Sequence, residues 1–225
     1  MEIMRFRFKR TKELRLISHL DMQRLFGRAF RRADIPLSYS QGFNPHPKLS
    51  FAGALPFGMI TYDEYGDVCI DKEIPLQKFV SDLNAAMPTG LEILSVKKIS
   101  GKTPSLSAAL IGADFRVSVF IDGEIDENQL KSNVNSFMEQ NEIIIEKRNK
   151  KGKKVDTDIR SYIRSFMFVK KKNDELIFDL SLNYIDQKCV KPVLVLSALD
   201  KMFKLNMIID ETILLVKIKN HFSIY

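Results

Sequence analysis

The opening strand constrains the fold more than any other segment. In IMRFRFK, residues 3–9, Met4, Phe6 and Phe8 fall on one side and Arg5, Arg7 and Lys9 on the other, the period of a strand with one buried face. A helical period follows. From Ser18, the residues Met22, Leu25, Phe26, Ala29, Phe30 and Ala33 recur at helical spacing, and Asp21 stands three residues after Ser18 as an Asp form of the capping box. Arg24, Arg28, Arg31 and Arg32 lie off that apolar stripe. Pro36 disfavours helical geometry in the residue before it, so the helix is expected to stop near Asp34. A half-buried strand followed by an amphipathic helix needs more strands for the helix to cover.

The chain supplies them. An extended PLSYS precedes a loop; KLSFAGALPFG and TYDEYGDVCID read as strands with a turn at Phe57-Gly58. Pro75 suits the first turn of the helix LQKFVSDLNAAM, which stops at Pro88, and LEILSVKKI closes a β-α-β-β-α-β series. The second half repeats the order. DFRVSVFID is a strand, and Asp126 and Gln129 cap a helix with Leu130, Val134, Phe137 and Met138 on its stripe. NEIIIEKRN is a further strand, as are the segments around 165–169 and 176–182. Pro192 starts the helix VLVLSALDKMF, and ETILLVKIK is the closing strand. This order predicts an α+β chain of two tandem ferredoxin-like domains, antiparallel sheets with helices on one face. The expected bounds are 1–99 and 112–225, with 100–111, SGKTPSLSAALI, as a linker poor in strong strand formers.

At 225 residues and 45% hydrophobic content, the chain can fill two cores. No apolar run approaches the roughly 20 residues of a membrane span, and MEIMRFRFKR has charges where a signal peptide needs an apolar stretch, so a soluble cytoplasmic protein is expected. Cys69 and Cys189 lie far apart in strand-like surroundings and read as reduced structural thiols. Charge is more telling. Residues 1–48 contain eleven Lys or Arg against four Asp or Glu, a net of +7, whereas residues 49–225 contain 24 of each. A field of one sign concentrated in one segment attracts a polyanion, and nucleic acid is the commonest large one.

The loop QGFNPHPK, residues 41–48, is the strongest candidate for recognition. Pro45 and Pro47 fix their own φ and push Asn44 and His46 toward extended geometry, while Gly42 permits positive φ at the entry. Little conformational entropy is left to lose on binding. Phe43 or Tyr39 can stack a base, Asn44 can meet a base edge together with the amide of Gln41, and Lys48 can meet a phosphate. Ser18 and His19, at the N-terminal end of the first helix, form a second candidate, with Arg24 and Arg28 following along it. Arg5, Arg7 and Lys9 offer a cationic strand face. KRNKKGKK, residues 147–154, reads as an exposed hairpin tip whose Lys151, Lys153 and Lys154 add phosphate contacts. Asp21, Glu64 and Asp67 are possible site acids, although a spacing of three in a strand puts Glu64 and Asp67 on opposite faces and argues against a shared metal. No metal ligand set is expected.

The stretch LRLISHLDMQRLFGRAFRRADIPLSYSQGFNPHPKLSFAGALPFG, with Glu64 and Asp67 after it, resembles a bacterial family of unknown function, the radical-SAM-linked proteins, which occur free-standing or fused C-terminally to radical-SAM proteins. The similarity extends more weakly through KKGKKVDTDIR, where the Thr157-Asp158 segment looks irregular. The resemblance implies association with a radical-SAM enzyme. This chain has no C-x-x-x-C-x-x-C motif, so an iron–sulfur cluster and S-adenosylmethionine would belong to that partner, and no cofactor is expected here. The expectation is a non-catalytic RNA-binding accessory module acting with a radical-SAM enzyme on tRNA or rRNA. Two alternatives stand beside it. One is a protein-docking subunit without nucleic acid; the other is a metal-independent endoribonuclease using His46, His19 and Lys48, similar in fold alone to the nucleases that process CRISPR repeats.

Overall fold

The structure, a computed structural model, describes residues 2–100, 103–148 and 152–223. The chain divides into two compact units, Met1–Leu110 with Phe222–Tyr225, and Ile111–His221. Among the described residues no helix is long and apolar enough to cross a membrane.

In the first unit, β1 (Glu2–Arg10) leads to α1 (His19–Arg32), β2 (Leu49–Phe51), β3 (Met59–Ile70), α2 (Leu76–Ala86), β4 (Leu91–Ile99) and the single turn α3 (Leu106–Ala109). The strands run β4-β1-β3-β2, every pair antiparallel. Alternation along β1 is obeyed: Met4, Phe6 and Phe8 are buried against the helices. In α1, Met22, Phe26, Ala29 and Phe30 face them. The helix stops at Arg32 because Asp34 takes left-handed geometry, φ 52°. The Ile35 amide then reaches back to the Phe30 carbonyl at 3.1 Å and that of Asp34 to Arg31 at 3.2 Å, a paired C-terminal cap. Two sequence expectations change here. KLSFAGALPFG pairs only over Leu49–Phe51, and the segment expected to link the units contains α3, capped by Ser105.

The core is aromatic. The Phe6 ring meets Phe8, Phe26, Phe30, Phe51 and Phe79 at centroid separations of 5.4–6.4 Å. Burying each such ring contributes about 1.5–3 kcal/mol before entropy is counted. Phe6 fits because its β3 partner is Gly66: a Cβ there would lie 2.4 Å from the ring. At the end of β1, Arg10 is fully buried and donates to the carbonyls of Pro56 at 3.0 Å and Met59 at 2.6 Å. Burial pushes its pKa down, and the buried Glu64 carboxylate opposes that shift. Arg10 thereby fixes the loop entering β3.

The second unit contains β5 (Leu110–Ile121), α4 (Glu127–Met138), β6 (Ile144–Arg148), β7 (Lys154–Asp158), β8 (Ile163–Lys172), β9 (Glu175–Asn183), α5 (Pro192–Phe203), β10 (Met207–Ile208) and β11 (Leu214–Phe222). Its main sheet runs β11-β5-β9-β8, with β10 beside β5. Asp126 caps α4 by accepting from the Gln129 amide at 2.8 Å, and Leu130, Val134 and Phe137 are buried as their spacing predicts. NEIIIEKRN leaves the main sheet. Its strand pairs with β7 in a separate ribbon from Ile144↔Asp158 to Arg148↔Lys154, so Thr157-Asp158 is regular strand rather than irregular. The Asp158 carboxylate closes the ribbon's base, accepting from the amides of Ile143 at 2.8 Å and Arg160 at 2.9 Å.

Both cysteines are free thiols, and burial raises both pKa values, that of Cys189 to about 11. At pH 8 only about one Cys189 in a thousand is then thiolate, so Ellman's reagent is expected to label it slowly in the native protein and rapidly in denaturant. Gly66→Ala is expected to cost about 1–3 kcal/mol, because the added methyl group must displace a ring held on every side; urea denaturation measures it, and an unchanged midpoint would refute the close fit.

Candidate nucleic-acid interface

The first helix and the proline loop meet along a groove. Leu37–Lys48 is a short hairpin: the Ser38 amide binds the Cys69 carbonyl at 2.9 Å, Cys69 in turn binds Lys48 at 3.0 Å, and Tyr39 pairs with Pro47. Across its neck, the Ser40 amide donates to the His46 carbonyl at 2.8 Å and the His46 amide to Ser40 Oγ at 3.0 Å. Gly42 has φ 125°, as a tight turn before Phe43 requires. The loop is therefore held by hydrogen bonds at its base and by proline stiffness at its tip. Pro47 lies 3.8 Å from the position a Cβ on Gly27 of α1 would take, an ordinary van der Waals separation.

Between them lies a groove of about 640 Å³. Its helix wall presents Arg24, Arg28 and Arg31, and its loop wall Tyr39, Pro45 and His46. No acidic side chain lines it. The three arginines occupy successive turns, rising about 6 and then 4.5 Å along the axis. Arg24 pairs with Asp21 at 3.2 Å, whereas Arg28 and Arg31 form no ion pair with a described residue. Phe43, beyond the groove at the tip, is 107% exposed. It does not plug the core. A fully solvated aromatic ring on a stiffened loop has its hydrophobic surface available to a flat partner.

Other expected residues are placed elsewhere. Ser18 caps α1, accepting from the Asp21 amide at 3.1 Å and donating to its carboxylate at 2.7 Å; the second of these bonds, and then Arg24, hold the Asp21 pKa below its ordinary value. A carboxylate thus already occupies the helix end where an anion was expected to dock. His19 is half-buried, its ring 5.9 Å from that of Phe51. Lys48 lines a different cleft of about 430 Å³, beside Arg5, Asp67 and Cys69. His19, His46 and Lys48 therefore do not share a groove, and the convergence a nuclease needs is not met by this set. Gln41 and Asn44 are exposed on the loop.

The cationic strand face is neutralised, against expectation. Arg5 is buried and forms a bidentate pair with Asp67 at 2.8 Å; Arg7 meets Asp63 at 2.6 Å and Lys9 meets Glu92 at 2.5 Å. Alternation along β3 puts Asp63 and Asp67 on that face and Glu64 on the core face, so β3 supplies the acids of Arg5 and Arg7, and β4 supplies that of Lys9. Among the described residues no group of three His, Cys, Asp or Glu could hold a metal ion. In the second unit, Lys153 is exposed and Lys154 pairs with Glu146 at 2.9 Å, whereas Lys151 lies outside the described residues. Arg31 and Leu20 were the groove residues hardest to foresee. Helical spacing puts Leu20, Gly27 and Arg31 on the side of Arg24 and Arg28, but only the position of the loop makes that side a wall.

The fold has distant likenesses among solved structures. One described as the crystal structure of a Cbf5-Nop10-Gar1 complex shares 8% identity with a TM-score of 0.52, covering 96% of this chain and 49% of that one. Another, an H/ACA RNP bound to a substrate RNA containing 2'-deoxyuridine, has a TM-score of 0.42 at 8% identity, covering 84% of this chain and 40% of that one. The chain thus spans about half the length of the first, and at this identity the likeness is one of fold. No curated protein matches. A family model matches residues 4–192, and the chain belongs to that family, described as an uncharacterized protein conserved in bacteria, DUF2344.

Proposed function

We propose that the protein is a non-catalytic RNA-binding accessory module, built of two tandem ferredoxin-like units, that acts with a radical-SAM enzyme in RNA modification or processing. The observation that carries the RNA reading is the groove: three arginines on successive helical turns, no acid in the lining, and a stiff loop presenting Phe43 to solvent. Arginines provide phosphate contacts and the exposed ring provides stacking, the two parts of single-strand recognition. The ferredoxin-like reading is supported by strand order. Setting the β6-β7 ribbon and the short β10 aside, each unit runs β-α-β-β-α-β, with the four strands in the spatial order fourth, first, third, second. The radical-SAM partnership is supported by sequence resemblance alone, carried by residues 14–58 with Glu64 and Asp67 and more weakly by KKGKKVDTDIR.

The protein-docking alternative draws on the same surface, since an acidic enzyme face would also be attracted to Arg24, Arg28 and Arg31. The two readings differ in stacking. RNA binding requires a flat partner for Phe43, whereas a protein face can be satisfied by any apolar contact.

The test uses a labelled single-stranded RNA and affinity measured across a salt series. Substituting Arg24, Arg28 and Arg31 by alanine is expected to reduce the slope of log K against log salt by about 2, at roughly 0.7 for each phosphate no longer neutralised. Phe43→Ala is expected to lower affinity about 5- to 150-fold while leaving that slope unchanged. Equal affinity of wild type and both variants would end the RNA reading of this groove.

A further inference from the structure

The second unit contains a polar cleft that the groove reading does not use. It lies on one face of the sheet formed by β11, β5, β9 and β8, and has a volume of about 480 Å³, within the range of small-ligand sites. Asp114 lines it. The carboxylate accepts from Ser181 Oγ at 2.7 Å and sits 2.7 Å from His221 Nε2. A carboxylate has no proton to give, so Nε2 is the donor in this contact. Each carboxylate oxygen retains a second lone-pair direction.

Arg164 forms another part of the wall. Its Nε donates to Asn183 Oδ1 at 3.0 Å, and Asn183 is anchored in turn through Nδ2 to the Ser161 carbonyl at 3.0 Å. The guanidinium lies over bare backbone: Nη2 is 2.5 Å from the position a Cβ on Gly112 would take. Its two Nη groups make no hydrogen bond with a described residue. The other charged pair in the cleft is closed on itself, Arg116 binding Asp179 through two bonds of 2.8 Å. Arg164 is thus the cation positioned for an outside anion. Met167 and Ile218, 58% and 41% exposed, add apolar surface to the same cleft.

An oriented guanidinium, a carboxylate–imidazole pair and an apolar wall match the three parts of a nucleotide. We propose that this cleft is a ribonucleotide subsite: Arg164 takes the phosphate, Asp114 with His221 takes the ribose hydroxyls, and the base lies against Met167 and Ile218. The chemistry is the same for a free nucleotide and for one residue of an RNA strand. This assignment rests on the geometry of the second unit and is independent of the groove.

Chemical-shift titration of the full-length protein tests it, with uridine 5′-monophosphate, 2′-deoxyuridine 5′-monophosphate, uridine, inorganic phosphate and tetrauridylate as separate probes. A uridine ribonucleotide is expected to shift the amides of Gly112, Ser181 and Asn183, with uridine and the deoxynucleotide each about tenfold weaker. Arg164→Gln and Asp114→Asn are expected to weaken it by a similar factor, and Arg164→Lys by less, at unchanged melting temperature. The Arg24→Ala, Arg28→Ala variant should bind normally at this cleft. A response to tetrauridylate alone would assign the occupant to an RNA strand, and a response to the mononucleotide alone to a free nucleotide; both uphold the subsite. Response to neither, affinity indifferent to Arg164 and Asp114, or inorganic phosphate binding as tightly as the nucleotide would overturn it.

Discussion

The contact between Phe6 and Gly66 sets the geometry of the first unit. The missing side chain on β3 lets the Phe6 ring lie against the sheet, and Phe26 and Phe30 of α1 pack on that ring with centroids 5.4 and 5.8 Å away. The same stripe that buries Phe26 and Phe30 turns Arg24, Arg28 and Arg31 outward. Helix orientation and arginine presentation are therefore one event. The loop is fixed separately, by the Ser38 amide donating to the Cys69 carbonyl on β3 and the Cys69 amide donating to the Lys48 carbonyl. Because both walls of the groove are referred to the same strand, its width depends on the core rather than on contacts across the groove.

Charge in the first unit is sorted by element. The strand cations Arg5, Arg7 and Lys9 each have an acid on a neighbouring strand, and Arg10 is consumed in holding a loop. Of these only Arg5 and Arg10 are buried, and burying an ion costs several kcal/mol unless partners recover it. Helix α1 differs: Arg24 shares Asp21, and the turns beyond it carry Arg28 and Arg31, which form no ion pair with a described residue. The N-terminal excess of positive charge thus becomes a localised field along one helix, the form in which it can act on a polyanion.

Much of this was legible in the sequence, because periodicity reports burial directly. The alternation of β1, the stripe of α1, the Ser18 and Asp126 caps and the Pro192 helix start are local properties, and each appears where the pattern put it. What was not legible depends on pairing. The neutralisation of Arg5 and Arg7 follows from the register of β1 on β3, which no local pattern states. The separation of Lys48 from His46, which line different clefts, could not be read from their spacing, since alternation would put residues two apart on one side. The His221–Asp114 contact spans a sequence separation of 107 residues and gave no signal in either segment. The ribbon of β6 and β7 was foreseen as a hairpin but not as a departure from the main sheet, since hydrophobicity is the same in both cases.

Photo-crosslinking of the protein to single-stranded RNA containing 4-thiouridine, followed by mass spectrometry of the crosslinked peptides, tests the central claim most directly. The account predicts crosslinks at Phe43 or Tyr39 in the proline loop, abolished when Arg24, Arg28 and Arg31 are replaced. Crosslinks confined to other segments, or undiminished in that variant, would contradict the assignment of the groove as the RNA-binding surface.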